Sequence, residues 1–327
     1  MKKINMQGER IYFISTVNLR HLVDIFLKEY TVIGPVKRND LVSFEELKTS
    51  NELYLDYKGH TKIPPKKFFH PPKEILFSYK IKGKDIIIED RLQSLKNVKR
   101  ILIGIHPCDI QALKIMDRVF EGEFEDPYYT TRRKNTIIIG LTCSDPAEYC
   151  FCYFTNSGPN ITDGYDLLLT RIGDGYLVEV GSSKGMEIIK NNNQYFSKAD
   201  DTLLEAKNKI MHAITNKLRA QQLPFFENAY SAMIHNFTNP YWDTLGDKCL
   251  ACGKCNYSCP TCYCFDIRDE ATPDLSSGRR IRVWDSCHFL SFTRVASGEV
   301  FREKRSSRVK QRIYHKLVYS VNHIGLI

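Results

Sequence analysis

KCLACGKCNYSCPTCYCFD, Lys248 to Asp266, carries Cys249, Cys252, Cys255 and Cys259 at spacing C-x2-C-x2-C-x3-C, with Pro260 directly after the fourth. This spacing is the one that wraps a chain around a [4Fe-4S] cubane. Two-residue gaps fold a tight loop, so three thiolates reach three iron corners. The wider last gap carries Cys259 away from that loop toward a neighbouring cluster, and Pro260 stops the backbone from following. Gly253 and the small Ala251 leave room for backbone N–H groups to approach sulfur. A zinc knuckle or a set of buried free thiols is the competing reading. Zinc is usually held by two C-x2-C pairs far apart in sequence, and here three cysteines are evenly spaced with a proline after the fourth. The pattern favours iron–sulfur.

Three more cysteines follow closely. Cys262 and Cys264 continue the motif, and Cys287 lies in Trp284-Asp285-Ser286-Cys287-His288. They are further cluster ligands, thiols that handle sulfur, or packed core residues. His288 and His106 each neighbour a cysteine. Such a histidine is by default a satisfied polar group, with ligation of iron or a hydrogen bond to cluster sulfur as the sharper reading. The formal net charge of +9 is uneven, with much of the excess between Arg279 and Lys316, including Arg302, Lys304, Arg305, Arg308 and Arg312. A solvated face is the default for such a run, and a docking surface for an acidic redox partner is the alternative. No nucleic-acid motif accompanies it.

Toward the N-terminus the pattern changes to strands and helices. Residues 19–30 place Leu19, Leu22, Val23 and Phe26 at helical spacing. Tyr79–Asp90 reads as a hairpin turning at Gly83, and Asp166–Val180 as another turning at Gly173-Asp174-Gly175. Arg100–Ile105 is a buried strand by its β-branched run, followed by a helix over Ile110–Phe120 with Asp109 at the cap position. Thr136–Leu141 repeats the strand. Cys108 and Cys143 therefore both fall at C-terminal strand ends, where open α/β sheets place their ligands. Cys150 and Cys152 follow in a short loop. Four thiols on one sheet edge suit a second cluster or a zinc ion; otherwise each is a small buried hydrophobe. Further helices are expected over Asp201–Gln222 and Phe225–Phe237.

At 327 residues, 43% apolar and 26% charged, the chain has the composition of an ordinary soluble protein of two domains. The boundary is expected near the polar run at Lys190–Asn193, giving domains 1–195 and 196–327. The fold class is α+β: a mixed α/β N-terminal domain and a mainly helical, ferredoxin-like iron–sulfur domain. The N-terminus lacks the apolar core of a signal peptide, and no apolar run is long enough to span a bilayer. Eleven cysteines without an export signal point to a reducing, cytoplasmic compartment. No G-x-G-x-x-G or G-K-[ST] string supports a nucleotide site. Gly181–Gly185 matches G-x-S-x-G around Ser183, but a polar turn fits its hairpin context better than a nucleophile elbow.

Several stretches resemble a known family: HPCDIQALKIMDRVF (106–120), DPYYTTRRKNTIIIGLTC (126–143), CFC (150–152), GYDLLLTRIGDGYLVEVGSSKG (164–185), CGKCNYSCPTCYCFD (252–266) and WDSCHF (284–289). The resemblance is to the beta subunit of soluble sulfhydrogenases and, slightly less, to the A subunit of anaerobic sulfite reductase. It implies an iron–sulfur electron carrier between a flavin subunit that meets NAD(P)H and a catalytic subunit of hydrogenase or sulfite reductase type. It implies that Cys249, Cys252 and Cys255 ligate one cluster and Cys259 its neighbour, and that Cys108, Cys143, Cys150 and Cys152 match family cysteines of a further cluster. Members of the family continue past a basic segment like His315-Lys316 to Tyr319 into a second C-x2-C-x2-C-x3-C-P motif. This sequence ends at Ile327, where that motif would begin, so the expected number of clusters is one, two or three. The alternative to an electron carrier is a subunit that itself reduces sulfur or polysulfide through Cys262, Cys264 or Cys287.

Overall fold

The computed structural model describes residues 10–221 and 228–325. Twelve strands appear among them: β1 (Ile11–Ser15), β2 (Thr31–Arg38), β3 (Leu41–Glu46), β4 (Lys73–Lys82), β5 (Asp85–Asp90), β6 (Arg100–Ile105), β7 (Thr136–Leu141), β8 (Leu167–Ile172), β9 (Gly175–Val180), β10 (Ser197–Lys198), β11 (Phe265–Ala271) and β12 (Ser277–Trp284). The α+β class holds. The chain forms two compact units that interleave in sequence, where a single cut near residue 195 was expected. The first takes the described residues through Pro65, Lys96–Lys114, and Thr131 to 221; the second takes Lys66–Leu95, Ile115–Thr130 and the residues from 228 on.

The first unit is built on an eight-stranded sheet of order β10-β1-β9-β8-β7-β6-β2-β3. Its centre is parallel: β2 pairs with β6, β6 with β7, and β7 with β8 in the same direction. Parallel strands are covered on both faces, so they read as continuous apolar runs; Ile101, Leu102, Ile103 and Ile105 are fully buried. The β8–β9 hairpin closes at Gly173-Asp174, with Gly173 in the left-handed region at φ +58°. The helix after β6 runs Pro107–Phe120. It starts earlier than its periodicity suggested, because Pro107 has the fixed φ that suits a first helical position; Asp109 lies in the first turn, not at the cap. The first helix spans Thr16–Glu29 with Ser15 as its cap. The helix expected over 201–222 is Asp201–Arg219. The G-x-S-x-G string forms the start of a helix, Ser183–Asn191, whose cap Ser182 accepts a hydrogen bond from the Gly185 N–H.

The second unit holds an antiparallel sheet of order β11-β12-β4-β5. The β4–β5 hairpin was legible in the sequence. The other half, β11–β12, comes from within the stretch expected to be mainly helical, and it pairs with β4 through β12. Arg282 on β12 is buried between Glu74 and Asp126, at 2.5 Å from the Glu74 carboxylate. Helices in this unit span Ala229–His235, Tyr241–Lys248 and Arg305–Tyr314. The first of these lies within the helix expected over 225–237, whose residues 225–227 fall outside the described residues. Gly246 lets the second and third approach closely: a Cβ there would stand 2.6 Å from the Ser306 backbone N. A π-helical segment, His315–Tyr319, then continues the last helix. Among the described residues no helix is long and apolar enough to cross a membrane.

Candidate iron–sulfur centres

The helix Tyr241–Lys248 ends at Cys249, and the chain then curls tightly. Ala251 and Gly253 both adopt left-handed backbone, at φ +52° and +72°. A Cβ on Gly253 would meet the Phe289 ring at 2.8 Å, so only glycine allows this approach. The curl aims the Ala251 N–H at the Cys249 sulfur, 3.3 Å away. One helical turn, Lys254–Tyr257, carries Cys255 and ends before Cys259. Cys252 and Cys255 are exposed, Cys249 and Cys259 half-buried, and Leu250 is 84% exposed. The four motif thiols thus lie on one short loop at the surface of the second unit.

Cys262, Cys264 and Cys287 are packed beside them. Cys262 and Cys287 are buried, at 8% and 5% exposure. Cys262 lies beside Cys259 and Cys264 beside Cys287, near enough for each thiol to act on its neighbour's titration. In each pair one member is held toward the thiolate. Cys259 is lowered by the Cys262 thiol and then by Lys316, Thr261 and Arg312; Cys287 is lowered by the Cys264 thiol, the Asn256 amide, Arg312 and Lys316. The ribbon places the second pair: Cys264 directly precedes β11, and Asp285, two residues before Cys287, donates its backbone N–H to the Cys264 carbonyl at 3.0 Å.

The residues that sequence reasoning missed are the ones around the thiols. Asn256 is 2% exposed and donates its amide to Cys287 Sγ at 3.1 Å. Its Oδ1 accepts from Arg312 Nε at 3.0 Å, and Arg312 also donates to the Cys255 carbonyl at 3.0 Å. Lys66, 3% exposed, donates to the carbonyls of Cys262 at 2.6 Å and Asn256 at 3.3 Å, and lies 4.5 Å from the Trp284 ring centre. Burial lowers its pKa to about 8, against the pull of Cys262 and Cys259. Lys316 donates to the Thr261 carbonyl at 2.9 Å; burial opposes its charge, but Cys259 and Cys262 raise its pKa. His288, 4% exposed, has Nδ1 at 3.6 Å from Cys249 Sγ. The basic run read as a solvated face is therefore partly internal. Arg312 and Lys316 face the thiols, Arg308 is buried on the carbonyls of Arg302 and Glu303, and Arg279 and Arg280 pair with Glu270 and Asp269.

In the first unit, β6 and β7 pair in parallel, so Cys108 and Cys143 emerge at the same sheet edge. The loop after Cys143 brings Cys150 and Cys152 to them. Burial, Asp109 and the three other thiols all raise the Cys108 thiol, and burial with Cys150 and Cys152 raises Cys143 to about 12. Gly158 packs on this group: a Cβ there would lie 3.2 Å from Cys152 Sγ. His106 is buried and stacked on Tyr57 at 4.1 Å, with Nδ1 2.8 Å from the Gly59 carbonyl oxygen. Burial lowers its pKa to about 4, so it is neutral and donates that bond.

These features suit an iron–sulfur cubane. The donors are thiols, a backbone N–H is already aimed at one sulfur, and lysine and arginine side chains offset the thiolate charge. Among the described residues no three His, Cys, Asp or Glu side chains converge closely enough to hold a single metal ion; a four-iron cluster makes a different demand, for ligands standing further apart. A family model described as a 4Fe-4S dicluster domain matches residues 248–327. Sulfhydrogenase 2 subunit beta of Pyrococcus furiosus is 36% identical over 287 residues, covering 87% of this chain and 81% of that protein. With that identity spread over most of both chains and the dicluster match falling on the thiol-rich loop, the chain is a [4Fe-4S] protein and belongs to the family of sulfhydrogenase beta subunits.

Proposed function

We propose that this chain is the electron-transfer subunit of a cytoplasmic multi-subunit oxidoreductase, taking electrons from a flavin subunit that meets NAD(P)H and passing them to a catalytic subunit of hydrogenase type. Cys249, Cys252 and Cys255 hold one [4Fe-4S] cluster and Cys259 reaches its neighbour. Cys108, Cys143, Cys150 and Cys152 hold a further one. The observation that carries the reading is the exposure of the motif loop: with Cys252, Cys255 and Leu250 at the surface, a partner can approach the redox centre without a substrate pocket. Bound clusters supply one-electron chemistry. The chain's own residues set the potential through hydrogen bonds to sulfur, burial and nearby charge.

A partner of sulfite reductase type would use the same loop, and the resemblance of the sequence to that subunit keeps it as the second reading. Direct polysulfide reduction by Cys262, Cys264 or Cys287 is disfavoured by their packing, since two of the three are buried from any substrate. The test is spectroscopic. The anaerobically purified chain keeps its visible absorbance with NADH alone, and bleaches when a flavin-containing partner subunit is added with NADH. Rapid bleaching by NADH with this chain alone would overturn the assignment.

A further inference from the structure

The sheet of the second unit has β11 and β5 at its edges, and the two are finished differently. Along β11 charges are frequent, and Asp269 and Glu270 pair with Arg280 and Arg279 of β12. Charged side chains of this kind keep a sheet edge from pairing with another chain. At the other edge, β5 carries the run Ile86-Ile87-Ile88, without a proline, and its register with β4 is unbroken from Asp85 to Asp90. All six of its residues are exposed, Ile86 and Ile88 to 64% and 65%. Consecutive isoleucines left in water are unfavourable unless something covers them.

The register fixes which backbone groups are open. The two strands are joined by the turn Gly83-Lys84, with Gly83 at φ +64°. The residues flanking a two-residue turn form a hydrogen-bonded pair, and such pairs alternate along an antiparallel ladder. Lys82 with Asp85, Lys80 with Ile87 and Ser78 with Glu89 are therefore hydrogen-bonded, while Ile81 with Ile86 and Tyr79 with Ile88 are not. The Ile81 N–H agrees, since it points away from β5 to the Ser276 carbonyl at 2.7 Å. The N–H and C=O groups of Ile86 and Ile88 thus face outward. Their side chains share one face with Tyr79 and the exposed Ile81. On the opposite face Asp85 and Glu89 flank Ile87, and Lys80 and Lys82 stand on β4, one strand further from the edge.

We propose that β5 is a docking edge for a strand of a partner subunit, one that alternates apolar residues with lysine or arginine. That strand bonds the outward backbone groups of Ile86 and Ile88, lays its apolar side chains beside theirs, and sets its cations against Asp85 and Glu89. In strand addition of this kind the main-chain bonds give affinity and the alternate side chains give specificity. The proposal rests on the multi-subunit reading above and goes beyond it by naming where and how one partner is held. Charge disfavours a second copy of this chain as the occupant. Antiparallel self-pairing about Ile87 sets Asp85 against Glu89 at both ends, and like charges directly opposite are destabilising. Pairing about Ile88 sets Ile86 and Ile87 against Asp90 and Glu89. Pairing about Ile86 meets the turn at Lys84, opposite Ile88.

The experiment compares the full chain alone with the complex formed when it is co-expressed with its flavin-containing and hydrogenase-type subunits. Amide hydrogen exchange is resolved residue by residue. In the free chain the Ile86 and Ile88 amides exchange fast, and the Ile87 amide, bonded to β4, exchanges slowly. In the complex Ile86 and Ile88 slow by at least about tenfold. Ile88→Pro removes an outward N–H and leaves the ladder to β4 intact; the complex loses one subunit on size-exclusion chromatography, with iron content and melting temperature unchanged. Ile88→Lys sets a cation against the basic strand and loses the same subunit, while Ile88→Val keeps it, so a misfolded proline variant cannot mimic the result. Fast exchange at Ile86 and Ile88 in an intact complex, or full assembly of both the Ile88→Pro and Ile88→Lys variants, would overturn the proposal. A homodimer of the purified chain that Ile88→Pro dissociates would overturn it in favour of a second copy. A cluster-bearing chain that assembles with no partner subunit would instead overturn the multi-subunit reading beneath it.

Discussion

Replacing Lys66 by Met removes one positive charge from beside the thiols while leaving an unbranched apolar chain on the Trp284 ring. Its ammonium is bonded to the carbonyls of Cys262 and Asn256, which places it next to the loop that leads out of Cys259. At a separation of roughly 7 Å and an effective dielectric of about 20, a unit charge interacts with one added electron by about 2.4 kcal/mol. That corresponds to about 100 mV. The cation favours the reduced, more negative cluster, so Lys66→Met lowers one midpoint potential by about that amount. Two carbonyls also lose their donor, which costs about 1–3 kcal/mol of stability. An EPR-monitored redox titration reads the potential, and thermal unfolding of the same sample reads the second effect. Lys66→Arg keeps the charge and restores most of the potential even if the geometry of the carbonyl bonds is disturbed. Potentials that agree within about 20 mV, roughly 0.5 kcal/mol, across wild type and both variants at full iron content would refute the reasoning.

Other consequences are as direct. Cys252→Ala removes a proposed primary ligand and costs about four irons per chain, read by iron assay. His288→Ala withdraws the imidazole beside Cys249 Sγ and lowers the potential of the motif cluster, a shift that His288→Gln partly reverses by offering an amide N–H. Gly246→Ala drives a methyl group into the Ser306 backbone and destabilises the helix pair by about 1–3 kcal/mol, seen as a lower melting temperature of the full chain. Arg282→Met removes the guanidinium that the Glu74 and Asp126 carboxylates share; truncating one member of a buried ionic group costs about 3–5 kcal/mol, measurable by denaturant unfolding.

What could be read from the sequence was whatever is fixed locally. The loop geometry of Cys249, Cys252 and Cys255 depends on gaps of two residues and on left-handed backbone at Gly253, and both are properties of consecutive residues. The shared edge of Cys108 and Cys143 followed from two successive strand units, because parallel pairing of β6 with β7 needs only that the second repeat the first. Lys66 could not be read in this way. It meets the Cys262 carbonyl from 196 positions away in the chain, and its own surroundings, Pro64-Pro65-Lys66-Lys67, look like an exposed turn. The pairing of β12 with β4 is equally long-range, and it is what converts part of an expected helical domain into sheet. Arg312 and Lys316 were visible as charges, but their direction is set by a helix whose docking depends on Gly246 meeting Ser306 and whose last turn is widened into a π segment.

The two thiol groups differ most in what surrounds them, and that difference bears on the order of their potentials. Around Cys259, Cys262, Cys264 and Cys287 the protein sets Lys66, Lys316 and Arg312, all of which favour an added electron. Around Cys108 and Cys143 the charged groups that act on the thiols are Asp109, Asp145 and the other thiols, and all of these raise the thiol pKa. Lys58 and Lys217 both pair with Asp145, and the one positive charge left over there no more than offsets Asp109. Net charge close to a cluster is one of the main determinants of its potential. A cluster held by Cys108, Cys143, Cys150 and Cys152 is therefore the harder of the two to reduce. In a stepwise titration, the EPR component lost in Cys143→Ser is the last to appear as the potential falls, and the component lost in Cys252→Ser appears earlier. The reverse order would mean that solvent exposure or hydrogen bonding to sulfur, not these fixed charges, sets the gradient along the chain.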